Sequence, residues 1–320
     1  VIQEPFHDPV MVDAILCHFN LRPGSVVVDG TIGLAGHSLR FSDLIAPGGV
    51  IYGFDWDRAM LKIAEERLES KTGVTVRLHN KDYREIGNVL DEDGVVADAT
   101  LLDMGLNSAH LDDPTRGISF KHDAFLDMRM NTDAGETAAD YLNSRSAAEI
   151  EDALFKYSDE RWARAIAKKI VERRALAPMR TTTDLVESVL AAVPVAAREK
   201  RIHPATRTFQ AIRLAVTKEL ENLEDAVGVA ADHLAPGGTI CVLTYHSGED
   251  RATKLAFRAR HNNGFTDVTR KPELPTEAEI SRNPRSRSAK LRVLRRDLPD
   301  ADGLASGVNA IQYPKIGVQG

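Results

Sequence analysis

The stretch VVVDGTIGLAGHS, Val26 to Ser38, decides how the rest of the chain is read. Three β-branched residues run into an acid, and the chain then turns through glycines at 30, 33 and 36. A short apolar run that breaks into glycine is a buried strand meeting the start of a helix. Glycine in such a turn permits positive φ and lets the backbone come close to a ligand. Ligands of open α/β sheets sit beyond the carboxyl ends of the strands, so the turn is either a binding crevice or a tight strand-to-helix corner.

Working outward, SVVVD (25–29), GVIYGFD (49–55), VTVRLHN (74–80) and DATLLDMG (98–105) read as strands, the first two as buried parallel ones. RAMLKIAEERLES (58–70) carries apolar residues at 60, 61, 63, 64 and 68 and reads as an amphipathic helix. This βαβαβ rhythm predicts a doubly wound sheet. From about 112 to 205 helical patterns take over, as in 146–175 and 182–193. A long helix is expected over 206–234, a returning strand over 238–246, and a closing antiparallel pair from FTDVTR and AKLRVLRRD. The expected organisation is a discontinuous α/β domain over 1–111 and 206–297, a helical insert over 112–205 and a loose tail over 298–320.

At 320 residues, 43% hydrophobic and 28% charged, the composition is that of an ordinary globular protein. No apolar run approaches the length of about 18 residues that suggests a membrane span. The beginning, VIQEPFHDPV, has no basic and apolar leader pattern, and the two cysteines, Cys17 and Cys241, form no C-x-x-C pair. A cytoplasmic protein without a cysteine-bound metal is therefore expected. The ten histidines show no H-x-x-x-H spacing. Net charge is −6, but Arg282 to Arg296 holds seven basic residues and no acid. That run is either a local anion-facing surface or a solvated stretch.

The glycine spacing, G-x-x-G-x-x-G, is neither the dinucleotide fingerprint nor a P-loop. The second strand ends in GFDWD and places Asp55 about 20 residues beyond the turn, where an acid can accept from both ribose hydroxyls of NAD or of S-adenosylmethionine. Asp29 favours the latter, because a carboxylate beside the turn repels a pyrophosphate but suits a sulfonium and an ammonium. Asp103 ends the fourth strand, at the lip of the same crevice or as a turn cap.

VVVDGTIGLAGHS, LLDMGLNSAHLDDPTRGISF, LDMRMN, HPATRTFQAIRLAV, YHSGEDR and NPRSRSAKLRV occur in an order and spacing that resemble the bacterial small-subunit ribosomal RNA cytosine-N4 methyltransferases, from about His7 to Arg296. The resemblance implies a class I (Rossmann-like) S-adenosylmethionine-dependent methyltransferase sheet with an inserted all-helical domain. It also implies methylation of the exocyclic amine of a decoding-centre cytidine. By motif position it implies cofactor contacts at Ala35, Gly36, His37, Asp55, Tyr83, Asp103 and His110. The chain departs from the family pattern where Ala35 replaces a glycine, Tyr83 a Phe, His110 a Gln and Gly248 a Leu. Thr217-Lys218 stands where Asn-Asp is usual.

Cytosine N4 is a poor nucleophile, so an acceptor for its hydrogens helps. Asp103, with Asn107 or Ser108, is the candidate at the end of strand four. His246 in YHSGEDR is a second candidate, in a segment that also reads as a helix start with Ser247 as cap. His203, Arg207 and Phe209 are candidate substrate contacts, with phosphate-binding cations and stacking rings, although Phe209 fits a core position as well. Arg285 and Arg287 would track the RNA backbone, and 160–174 could extend that track. The expected partner is ribosomal RNA or the assembling small subunit, with no membrane and no metal; a homodimer stays open. Two other readings stand beside this one: a nicotinamide-dependent oxidoreductase, and an RNA-binding or assembly protein whose site has decayed.

Overall fold

The computed structural model describes residues 9–105, 113–130, 132, 135–199 and 202–299. The chain divides into two compact units, one from residues up to Gly105 and from Asn222 onward, the other from Leu106–Glu221.

The first unit is built on seven strands: β1 (Val26–Asp29), β2 (Gly49–Phe54), β3 (Val74–His79), β4 (Ala97–Asp103), β5 (Leu234–Thr244), β6 (Phe265–Asp267) and β7 (Lys290–Arg296). Their order is β3-β2-β1-β4-β5-β7-β6. The first five are parallel, and β7 runs antiparallel between β5 and β6. The crossovers are α2 (Gly36–Ile45), α3 (Arg58–Leu68) and α4 (Ile86–Asp93); α10 (Leu223–Asp232) leads into β5 and α11 (Ser247–Arg260) leaves it. Two short helices, α1 (Val12–His18) and α12 (Glu277–Arg282), complete the unit. Strand order reverses at β1, which lies between β2 and β4, and this switch point is where an open sheet leaves a crevice.

Strands buried on both faces need apolar residues throughout, which is why β1, β4 and β5 read as continuous hydrophobic runs. Val27, Ile51, Leu101, Cys241, Leu291 and Val293 join Ile15, Phe41 and Ile45 in one cluster. Leu101 is fully buried, opposite Asp29 on β1 and Cys241 on β5. Leu101→Ala is expected to cost about 2–5 kcal/mol. Urea denaturation checks this, and a loss below about 1 kcal/mol would contradict the packing described.

The second unit contains α5 (Ala138–Ser144), α6 (Ala147–Ser158), α7 (Ala163–Arg174), α8 (Thr182–Ala192) and α9 (Ala205–Thr217). Capping boxes start three of them: Thr137 with Asp140, Ser146 with Glu149 and Thr181 with Asp184.

The helical pattern of 146–175 is carried by two helices, because Asp159 takes a left-handed conformation at φ 50° and ends α6. Two expectations are corrected. The helix expected over 206–234 is also two: Lys218 at φ 56° closes α9 and Asn222 at φ 58° precedes α10. Left-handed residues cannot continue a right-handed helix. Residues 206–221 accordingly belong to the helical unit, whereas the expectation grouped them with the sheet. Of the tail expected over 298–320, residues from 300 on lie outside the described residues.

Candidate active site

The turn after β1 is fastened to both neighbouring strand ends. Thr31 Oγ1 accepts from the Asp103 N–H at 2.7 Å, the Ile32 N–H donates to Phe54 O at 3.0 Å, and the Gly33 N–H donates to Asp55 Oδ2 at 3.1 Å. Gly30 leaves room for its neighbours: a Cβ there would lie 2.4 Å from Leu102 Cδ2 and 2.9 Å from Ile86 Cδ1, so those side chains would have to shift. Ala35 occupies the left-handed region at φ 60° and is fully buried at the N-cap of α2. The missing glycine at this position therefore leaves the turn's backbone path intact, at a cost of roughly 1–2 kcal/mol. No side chain caps α2. Its first N–H groups, at Gly36, His37 and Ser38, form the positive end of a ten-residue helix.

Two acids, the buried Asp29 and the half-buried Asp103, act on each other beside this helix end. Asp29 is 2% exposed and accepts from Ser38 Oγ at 2.6 Å and from the Thr31 N–H at 3.4 Å. Burial pushes its carboxyl above the usual carboxylate range, against the Ser38 bond and the His37 imidazole, and the charge of Asp103 pushes it further. Asp103 is raised chiefly by burial as well, opposed by His37, by the Tyr245 hydroxyl and by the Gly105 N–H. Its Oδ1 is buried and has no hydrogen-bond partner among the described residues. An uncompensated acceptor of this kind is costly and marks a place for a donor or a cation.

Asp55 follows β2, and its carboxylate accepts from the Gly33 and Asp57 N–H groups at 3.1 and 2.8 Å. Tyr83 is buried in a short 3₁₀ turn, with its Cβ beside Gly30. His37 Nε2 donates to Val10 O at 2.9 Å, so its ring braces the chain before α1, and its backbone sits at the α2 start. Ala35, Gly36, His37, Asp55, Tyr83 and Asp103 thus lie around one sheet edge, whereas Asn107, Ser108 and His110 lie outside the described residues.

His246, not Ser247, caps α11. Its Nδ1 accepts from the Gly248 and Glu249 N–H groups at 3.2 and 3.4 Å, and its Nε2 lies 2.9 Å from Glu249 Oε1. The ring is therefore occupied as a helix cap, the structural alternative for this segment.

The substrate candidates fare unevenly. His203 Nδ1 accepts from the Ala205 N–H at 3.2 Å, and its ring lies tilted against Phe120 at 4.7 Å, which in turn meets Phe209 at 5.0 Å. Phe209 is 4% exposed, so it is core and not a stacking surface. Arg207 pairs with Glu199 at 2.9 Å. In the basic run, Arg292 is buried on Asp250 at 2.7 Å, and Arg296 donates to the carbonyls of Asp232 and Leu234. Arg285, Arg287 and Arg295 are exposed. Within 160–174, Arg173 pairs with Asp184 and Glu187, Arg174 binds the Leu142 and Arg145 carbonyls, and Lys168 and Lys169 share Glu172. Neither stretch is a continuous cationic strip. No cluster of potential metal ligands occurs among the described residues, and no helix there is long and apolar enough to cross a membrane.

Thr31, Ser38 and Tyr245 escape the sequence reading as site residues. Only the pairing of Asp103 with Leu243, which puts the β4 and β5 ends side by side, brings Tyr245 to Asp103.

The sheet order, with its antiparallel seventh strand and acids 29, 55 and 103 at the strand ends around the switch point, defines a class I methyltransferase fold. Residues 4–297 match the MraW methylase family, and the chain belongs to that family. It is 42% identical over 304 residues to a protein of Geotalea uraniireducens named ribosomal RNA small subunit methyltransferase H, covering 89% of this chain and 97% of that protein. A protein of the same name from Geobacter sulfurreducens is 43% identical over 304 residues, covering 89% and 97%. Among solved structures, an rRNA methylase from Streptococcus thermophilus aligns over 93% of this chain and 99% of that one, at 13% identity and a TM-score of 0.40.

Proposed function

We propose that the protein uses S-adenosylmethionine to methylate the exocyclic N4 amine of a decoding-centre cytidine in small-subunit ribosomal RNA. The observation that carries this reading is the buried Asp29 and the half-buried Asp103, whose Oδ1 is itself buried, beside the uncapped start of α2. That donor set fits a methyl donor carrying an ammonium, a sulfonium and a carboxylate, and it disfavours a pyrophosphate, which speaks against the nicotinamide alternative. The kinship to proteins named for small-subunit rRNA methylation supports the RNA substrate.

When bound, S-adenosylmethionine supplies an electrophilic methyl group on a positive sulfur. The first N–H groups of α2 would hold its carboxylate, the Asp29 and Asp103 side its cationic groups, and Asp55 its ribose hydroxyls. Asp103 Oδ1 would accept a hydrogen of the substrate amine, align its nitrogen lone pair and take the surplus proton of the methylated amine. The base must be unpaired or flipped out for its Watson–Crick edge to reach that acceptor. The protein acts in the cytoplasm, on ribosomal RNA or the assembling small subunit.

A decayed site is the weaker reading, because the departures are absorbed locally. Thr217 Oγ1 donates to Arg213 O at 2.9 Å and the exposed Lys218 closes α9, where a cation suits the helix end. Mapping N4-methylcytidine in ribosomal RNA from cells with and without the protein tests the proposal. Loss of one decoding-centre mark is expected; an unchanged map would refute it.

A further inference from the structure

Tyr245 follows directly on β5 and has no part in the mechanism above. Its backbone N–H donates to Glu249 Oε2 at 2.7 Å, and the same oxygen receives the His246 N–H at 3.3 Å. Glu249 is 3% exposed, so a buried carboxylate at the start of α11 fixes where the tyrosine leaves the strand. The ring packs against the sheet core and lies close beside Gly105, where an added Cβ would meet its Cε2, Cδ2 and Cζ at 2.6–3.0 Å. The glycine two residues after Asp103 therefore makes room for this ring. The hydroxyl hydrogen-bonds to the Asp103 carboxyl.

We propose that Tyr245 is a positioning residue for methyl transfer: it engages the Asp103 carboxyl from the β5 side and leaves the buried Oδ1 aimed at the incoming amine. This rests on Asp103 being the amine acceptor. Two independent restraints hold the group in place, the Glu249 clamp on its backbone and the close fit of its ring beside Gly105. A hydroxyl that donates to a carboxylate stabilises the charged form, the one that can take a proton. The other groups facing Asp103 are Asp29 from β1, His37 from α2 and Glu249 from α11, and Glu279 of α12 acts on Tyr245. The two further acids oppose ionisation of Asp103, so the tyrosine works against them together with His37. Burial and the neighbouring acids keep the phenol protonated, so it remains a donor.

The test compares the pH dependence of kcat for the wild type, Tyr245→Phe, Gly105→Ala and Asp103→Asn. S-adenosylhomocysteine binding by calorimetry runs in parallel. Tyr245→Phe should bind S-adenosylhomocysteine as the wild type does, lower kcat with little change in KM for RNA, and move the acid limb of kcat upward by roughly half to one pH unit. Gly105→Ala, whose methyl must displace the ring, should move the limb the same way by a separate route. A Tyr245→Phe profile that only drops in height, with the limb unmoved, overturns the proposal while an inactive Asp103→Asn leaves the acceptor assignment standing. If Tyr245→Phe does not fold, an unmoved limb in Gly105→Ala overturns it. An active Asp103→Asn overturns the acceptor assignment and the proposal with it.

Discussion

Asp103→Asn is expected to abolish turnover without loosening the fold. The change removes the acceptor proposed to take the amine proton, and losing such a group costs about a hundredfold to ten-thousandfold. Stability should move the other way. Burial holds the folded carboxyls of Asp29 and Asp103 above their ordinary range, whereas in the unfolded chain they ionise normally. A raised folded pKa contributes stability that is fully present below the unfolded value and is lost as pH rises through the folded value. At neutral pH the buried charge opposes folding, so the neutral amide should leave Tm equal or higher. Single-turnover methylation with scanning calorimetry at pH 7 checks both parts. Activity within tenfold of the wild type, or a clear fall in Tm, contradicts the role given to this carboxylate.

Asp55→Ala is expected to remove methyl-donor binding. Two hydrogen bonds from ribose hydroxyls to a carboxylate are worth about 1.5–3 kcal/mol each, so affinity should fall on the order of a hundredfold or more. The same change strips the Gly33 and Asp57 N–H groups of their acceptor, which loosens the glycine turn itself. Both effects weaken binding of S-adenosylmethionine and of S-adenosylhomocysteine equally, because neither involves the sulfur. Calorimetry with the two ligands separates this from a loss at the Asp29 and Asp103 side, which should weaken the cationic donor more than the neutral product. Unchanged affinity for both ligands would remove Asp55 from the site.

Much of this was legible in the residues themselves. Val26–Asp29, Gly49–Phe54 and Ala97–Asp103 announce themselves as buried strands because parallel sheets require apolar residues on both faces. The acids at 29, 55 and 103 are visible because each ends such a run. What pattern could not supply was anything set by a single backbone dihedral or by pairing across distant segments. Asp159 and Lys218 break helices whose periodicity continues through them, since only their left-handed φ interrupts the ladder. His246 takes the capping position that Ser247 suits chemically, because the helix already includes Ser247 as its first residue. The basic run from 282 to 296 looks uniform as text, but a strand alternates its faces, and Arg292 turns inward to Asp250. Tyr245 beside Asp103 depends on register between strands separated by more than a hundred residues.

The most direct measurement is a crystal structure of the protein with S-adenosylmethionine bound. The account predicts the ribose hydroxyls on Asp55, the carboxylate at the first turn of α2 and the methyl group facing Asp103 Oδ1. A crevice closed by side chains, or one that binds a diphosphate instead, contradicts it.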